Sequence, residues 1–165
     1  DKIAQDYGPK VVHKGVETYE SSSLLKVPQI KPIVWKRGMI RCGTIAKKIG
    51  HYPLWLKDGK KIATTVLQIV DNHVVKFIPP GEYNPTQRKP NVSYKRMGCI
   101  LVGAEADDPS KFTANYIGLF KGSGVMPCNK LFRFHVTKKG ELPPGTPLNV
   151  SHYRVGDYVD VRGKT

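Results

Sequence analysis

The sequence predicts a mainly β chain, a small barrel or sandwich carrying one short helix. Three observations predict it. Residues 61–70 and 131–137 alternate as strands do; in the second run Leu131, Arg133, His135 and Thr137 are set against Phe132, Phe134 and Val136. Asp58-Gly59 and Asp71-Asn72 place turn dipeptides between apolar runs. The 165 residues include 16 Gly and 13 Pro, so turns are frequent and a long helical bundle is a poor fit.

Residues 1–37 read as an extended arm and residues 38–165 as the body. Pro28 and Pro32 interrupt any helix in the arm, and Ser21, Ser22 and Ser23 form a polar run. In the body, residues 39–46 and 52–56 read as strands. Residues 61–70 read as the strongest one. Ala63, Thr65, Leu67 and Ile69 line one face; Ile62, Thr64, Val66 and Val70 line the other, with Gln68 the polar break. Two largely apolar faces predict a central strand, antiparallel to neighbours at 52–56 and 73–78 across the two turns.

Residues 79–98 carry Pro79, Pro80, Gly81, Pro85 and Pro90 and read as an irregular basic loop. A strand at 99–104 follows. Asp108 then reads as a helix cap with Pro109 at the first helical position. Phe112, Tyr116 and Phe120 repeat at spacing four, and Gly122 and Gly124 end the segment. Lys138-Lys139-Gly140 reads as a turn, and strands at 148–151 and 158–162 complete the series. This order is not a βαβ alternation, which argues against a nucleotide-binding α/β fold.

Charge narrows the function. Lys and Arg number 27 against 13 Asp and Glu, a formal net of +14. Residues 1–35 hold five basic and four acidic residues, so the excess belongs to the body. Such an excess on one domain is self-repulsive and suits a polyanionic partner. No stretch approaches the roughly 18 apolar residues of a membrane span. Cys42, Cys99 and Cys128 are odd in number and far apart, which predicts buried thiols rather than a disulfide framework. The five histidines are scattered, and no metal or other cofactor is indicated.

An enzyme finds little support in the sequence. No GxSxG, HExxH or GxxxxGK[ST] motif is present. Lys121-Gly122-Ser123-Gly124 is too short for a phosphate-cradling loop and reads as a helix exit. Asp157 and Asp160 fall on opposite faces of a strand, not in a shared site. A small RNA-modifying enzyme using His51 or His135 as base is one alternative, and a protein-only interaction module is another. The favoured reading rests on cation clusters. Residues 36–48 hold Lys36, Arg37, Arg41, Lys47 and Lys48 with no acid among them, and Gly43 and Gly50 allow close backbone approach. Arg88, Lys89, Lys95 and Arg96 load the Pro-rich loop near Tyr83 and Tyr94. Arg162 and Lys164 lie at the end of the chain. Together with an RNA-facing His51, these are the candidate RNA-binding residues. Irregular basic loops suit RNA shape better than a DNA groove, since no recognition helix carries the charge.

These residues resemble a known family. Gly43-Thr44-Ile45-Ala46-Lys47-Lys48-Ile49-Gly50, followed by Leu54-Trp55-Leu56-Lys57-Asp58-Gly59, resembles the opening of the ribosomal protein L-three family. Thr65-Val66-Leu67-Gln68-Ile69 is similar to its T-V-[IL]-x-[VI] strand, and Leu131-Phe132-Arg133-Phe134 to its L-x-E-F strand. Gly156-Asp157-Tyr158-Val159-Asp160-Val161 with Lys164-Thr165 resembles its G-x-x-V-D-V run. Pro53-Leu54-Trp55, Pro144-Gly145-Thr146-Pro147-Leu148 and His152 with Arg154 look closest to mitochondrial members. His51 stands where bacterial members carry Met, and Arg133 where a Glu is typical. The resemblance covers residues 38–165. It implies a Greek-key β-barrel of the translation-factor second-domain type with a helical insertion near 109–120. It also implies a non-catalytic constituent of the large subunit of the mitochondrial ribosome, supporting subunit assembly. The expected partners are large-subunit rRNA, neighbouring large-subunit proteins, and assembly factors or a second chain completing the barrel. By the same resemblance, the family's Gly/Lys-rich extension and closing strands fall beyond residue 165. The first residue, Asp1 rather than Met, is compatible with a removed targeting peptide.

Overall fold

The computed structural model describes residues 10–13, 16–19, 34, 36–82 and 97–163. The chain is mainly β, with antiparallel sheets and one short helix. Within the expected arm, β1 (Lys10–His13) pairs β2 (Val16–Tyr19) as a hairpin. β3 (Ala46–Trp55) and β4 (Lys61–Ile69) form a second two-stranded sheet. β5 (Asn72–Ile78), β6 (Gly98–Ala106), β7 (Cys128–Val136) and β8 (Pro147–Leu148) form a four-stranded sheet in the order β7-β6-β5-β8. Among the described residues the sheets stay open rather than closing the expected barrel.

The central strand is β6, not residues 61–70. All but three of the nine β6 residues are buried, whereas β4 is exposed at seven of its nine positions. Alternation alone misplaces it, because β4 pairs only with β3, and β5 joins the other sheet. Both faces of β6 carry core. On one, Ile100 and Val102 pack with Val74, Val136, Leu148 and Cys42. On the other, Leu101 packs beside Val75, Phe120, Val125 and Cys128. Val74 and Val75, adjacent on β5, serve opposite faces as successive strand residues do, beside a bulge between Val74 and Lys76. Each fully buried aliphatic or aromatic side chain here contributes about 1.5–3 kcal/mol.

Local sequence explains the cover on the second face. Asp108 accepts from the Ser110 N–H at 2.9 Å and caps the 3-10 turn Pro109–Lys111, as the cap and proline predict. The helix proper, α1 (Ala114–Gly118), follows one residue pair later. The spacing-four aromatics stack in series, with ring centroids 5.1 Å apart for Phe112–Tyr116 and 5.4 Å for Tyr116–Phe120. Asp107 accepts from Lys111 Nζ at 2.7 Å and from Asn129 Nδ2 at 3.0 Å, joining the turn to the start of β7. The Lys111 ammonium above all, then Asn129 and the Asp108 N–H, holds the Asp107 carboxyl down to about 2. Its folded value is depressed, so its stabilisation is full above the ordinary carboxylate range and is lost as pH falls from about 4 to 2. Asp107→Asn is therefore expected to flatten acid unfolding over that window, read by circular dichroism against pH.

Of three further expected strands, two do not form and one is cut to two residues. Residues 39–45 run across the first core face without pairing: Thr137 donates its N–H to Ile40 O at 3.2 Å, and Cys42 is buried. Gly43 permits this crossing. A Cβ built there would sit 2.5 Å from Phe134 Cε1, so its close approach is to the chain's own aromatic ring. Gly43→Ala is expected to cost about 1–3 kcal/mol in urea unfolding by overpacking that ring. Residues 148–151 contribute only the two-residue β8 before a 3-10 turn, Val150–His152. Residues 158–162 form no strand and pair with none among the described residues.

The expected Asp71-Asn72 hairpin turn is also absent. Asn72 is 1% exposed and clamps the crossing segment instead. Its Oδ1 accepts from Ile45 N–H at 2.7 Å, and its Nδ2 donates to Ile45 O at 2.9 Å and Val70 O at 2.6 Å.

All three thiols are free and buried, as the cysteine spacing implies. Burial pushes Cys42 up to about 12 and Cys128 up to about 11. Because the thiolate is the reactive form, native-state alkylation at pH 8 is expected to be slow at all three and complete on unfolding in guanidinium. Rapid native labelling of Cys42 would contradict this packing.

Candidate nucleic-acid interface

The β3–β4 hairpin presents two chemically different faces. Its loop turns at Gly59, with φ +75°, and is closed by Leu56 and Lys60, as Asp58-Gly59 predicts. Residues directly opposed across antiparallel strands share a face. The register therefore sets Trp55 with Lys61, Pro53 with Ala63, and His51 with Thr65 on one side. His51 Nδ1 lies 2.9 Å from Thr65 Oγ1, and Lys61 Nζ lies 5.9 Å from the Trp55 ring centroid. The other side carries Tyr52, Leu54, Ile62 and Val66, all exposed.

A bulge between Lys48 and Gly50 decides where the cations go. Without it, Lys48 would share the aliphatic face. With it, Lys48 opposes Leu67 and joins His51, and Lys47 opposes Gln68 on the aliphatic side. The first face thus holds Lys48, His51, Trp55 and Lys61 with no acidic residue. Lys47 is committed elsewhere: it pairs with Glu105, which takes a left-handed φ of 59° near the end of β6. That pair ties the base of the hairpin to the central sheet.

Arg41 is likewise engaged. It donates to Asp157 Oδ2 at 3.1 Å, and its guanidinium lies 5.7 Å from the Tyr153 ring centroid. Tyr153 Oη shares a hydrogen bond with Thr44 Oγ1 at 3.0 Å, and His152 Nε2 lies 2.7 Å from Cys42 O. The Arg154 N–H foremost, then Arg41, lowers the Asp157 carboxyl from its ordinary value. Arg41 therefore fastens the segment after β8 onto the crossing segment. Asp157 works in that clasp.

Lys36 and Arg37 lie exposed in a turn closed by Met39 N–H to Lys36 O at 3.0 Å, and Arg162 is exposed on the terminal segment. Among the described residues no carboxylate pairs with Lys36, Arg37, Lys48 or Arg162. Arg88, Lys89, Lys95, Arg96 and Lys164 lie outside the described residues. The cluster at 36–48 is thus divided by the fold into structural cations, Arg41 and Lys47, and uncompensated ones. Sequence reasoning missed Lys61 and Trp55, although cross-strand pairing across Asp58-Gly59 was the signal that could have found them.

Among the described residues, clefts lie beside the sheets. One of about 230 Å³ is lined by Ile45, Lys47, Ala104, Glu105 and Lys130 among others; one of about 160 Å³ includes His73. Neither is lined by His51 or His135, the two histidines an enzymatic reading would need. The Lys121-Gly122-Ser123-Gly124 segment exits the helix as expected: Ser123 Oγ donates to Phe120 O at 2.7 Å, and Gly122 has φ +89°.

Fold and surface together define a basic, antiparallel β-protein with an acid-free cationic face. No family model matches the sequence. It is similar to the large ribosomal subunit protein uL3m of Arabidopsis thaliana, 35% identical over 125 residues, covering 76% of this chain and 35% of that protein. It is also similar to the large ribosomal subunit protein uL3 of Rickettsia prowazekii (strain Madrid E), 26% identical over 128 residues, covering 76% of this chain and 53% of that protein. The chain belongs to the uL3 family, in its mitochondrial type. It spans about a third to a half of the length of these relatives.

Proposed function

We propose that the chain is a non-catalytic, rRNA-binding part of the large subunit of the mitochondrial ribosome. Kinship with uL3m carries this reading. The physical support is the charge of Lys36, Arg37, Lys48 and Arg162, which no carboxylate among the described residues pairs with and which suits closely packed phosphates. In this reading residues 38–165 are the binding body, and the loop cations Arg88, Lys89, Lys95 and Arg96, with Lys164, extend its contacts. The arm, residues 1–37, reaches neighbouring subunit proteins. The aliphatic face of the β3–β4 hairpin and the open sheet edges receive further strands of a completed barrel, from the same polypeptide or a second one. The mechanism is charge neutralisation: the sheets hold cations at fixed spacing, so RNA segments that repel one another pack during assembly.

The test is sedimentation of mitochondrial extracts containing the tagged full-length protein. The protein is expected to travel with the large subunit and to be released by ribonuclease. Migration at the top of the gradient, with intact subunits below, would contradict the reading.

A further inference from the structure

We infer that Trp55 is a stacking platform for one unpaired rRNA base, backed by Lys61 on its own strand pair. This rests on the rRNA-binding reading above and goes further, naming the contact and the kind of nucleotide it takes.

Trp55 is 65% exposed, an unusual position for the largest apolar side chain. It is held in place rather than left loose. Its cross-strand partner Lys61 reaches over the ring at 5.9 Å, which sets a cation against one π-face while most of the side chain stays exposed. An aromatic ring polarised in this way suits a base lying on its free face.

The company of Trp55 favours nucleic acid over protein. Its strand face carries Lys48 and Lys61 but no acid, so the charge complements a phosphate backbone. His51 adds a second flat ring, steadied by Thr65 Oγ1 at 2.9 Å. Most exposed aliphatic residues lie on the opposite face, at Leu54, Ile62 and Val66, while the cationic face carries Leu67 beside Lys48 at its far end from Trp55. The end of the cationic face around Trp55 is the part that suits RNA. A duplex hides its base faces, so the ligand is a base from a loop or bulge.

The test uses the chain with Trp35→Phe, which leaves Trp55 as its one tryptophan. The probes are a single-stranded oligoadenylate, a transcript of large-subunit rRNA and a blunt RNA duplex. Oligoadenylate and the transcript are expected to quench Trp55 fluorescence strongly, and the duplex weakly. Trp55→Ala is expected to weaken binding of the transcript about ten-fold or more with an unchanged salt slope, since stacking releases no counterion. Trp55→Phe is expected to keep most of the affinity. Circular dichroism of each variant confirms an intact fold. If the transcript binds with a steep salt slope but neither quenches Trp55 nor responds to Trp55→Ala, the platform is refuted and the rRNA-binding reading stands. If quenching comes only from added large-subunit proteins, Trp55 is a protein contact and the platform is equally refuted. If no RNA binds, the reading itself falls.

Discussion

Asn72→Ala is expected to lower the unfolding free energy by about 3 kcal/mol, and the melting midpoint by about 6–12 °C. The residue is buried and makes three hydrogen bonds, two of them to Ile45 across 27 positions of sequence. Alanine leaves the Ile45 N–H and the carbonyls of Ile45 and Val70 without that amide. Unmade bonds on buried groups cost more than the bonds gain when present. Asn72→Asp is the sharper control: it keeps an acceptor for Ile45 N–H, loses both donated bonds and buries a charge. Both variants are expected to free the crossing segment, so that Cys42 becomes reactive to alkylation below the midpoint of global unfolding. A loss below about 1 kcal/mol for both would show that the clamp does not hold residues 40–45 to the sheet.

The second large effect is electrostatic. Replacing Lys36, Arg37, Lys48 and Arg162 together by Gln is expected to reduce the slope of log K against log salt by about 3, at roughly 0.7–0.9 per phosphate contact. Stability is expected to change little, because these side chains are exposed and no carboxylate among the described residues pairs with them. The structural cations should behave oppositely. Arg41→Gln and Lys47→Gln are expected to loosen the clasps at Asp157 and Glu105 and to alter the salt slope less. A four-residue variant with unchanged slope would place the RNA contacts elsewhere on the surface.

What the sequence reveals follows the range of the interaction. The Asp108 cap and the stacking of Phe112, Tyr116 and Phe120 are local and form, but the single helix read from Pro109 is split into a 3-10 turn and the five-residue α1, with Phe112 and Phe120 outside it. The Asp58-Gly59 turn forms and all three cysteines are buried, as read. Long-range partners are another matter. The apolar alternation of residues 61–70 is real, but alternation does not reveal which strand becomes central; β6, with its glycines and small residues, is the one packed on both faces. Asn72 beside Asp71 reads as a turn because its true partner, Ile45, is distant in sequence. Gly43 reads as allowing close backbone approach to a partner, whereas Phe134 of the same chain lies against it. Cation clustering singles out the 36–48 region, yet only the fold separates Lys48 from Lys47, through one bulged residue. The resemblance to the L-three family was legible from short motifs in order, and kinship with uL3m and uL3 agrees with it.

The central claim is that this surplus of positive charge exists to meet the phosphates of a folded RNA. Its most direct test is the equilibrium affinity of the chain for a large-subunit rRNA transcript, measured from about 50 to 200 mM potassium chloride. An interface of six to ten phosphate contacts gives a straight log–log fall of about 10³-fold or more over that range. An affinity independent of salt, or no binding at the lowest concentration, would contradict it.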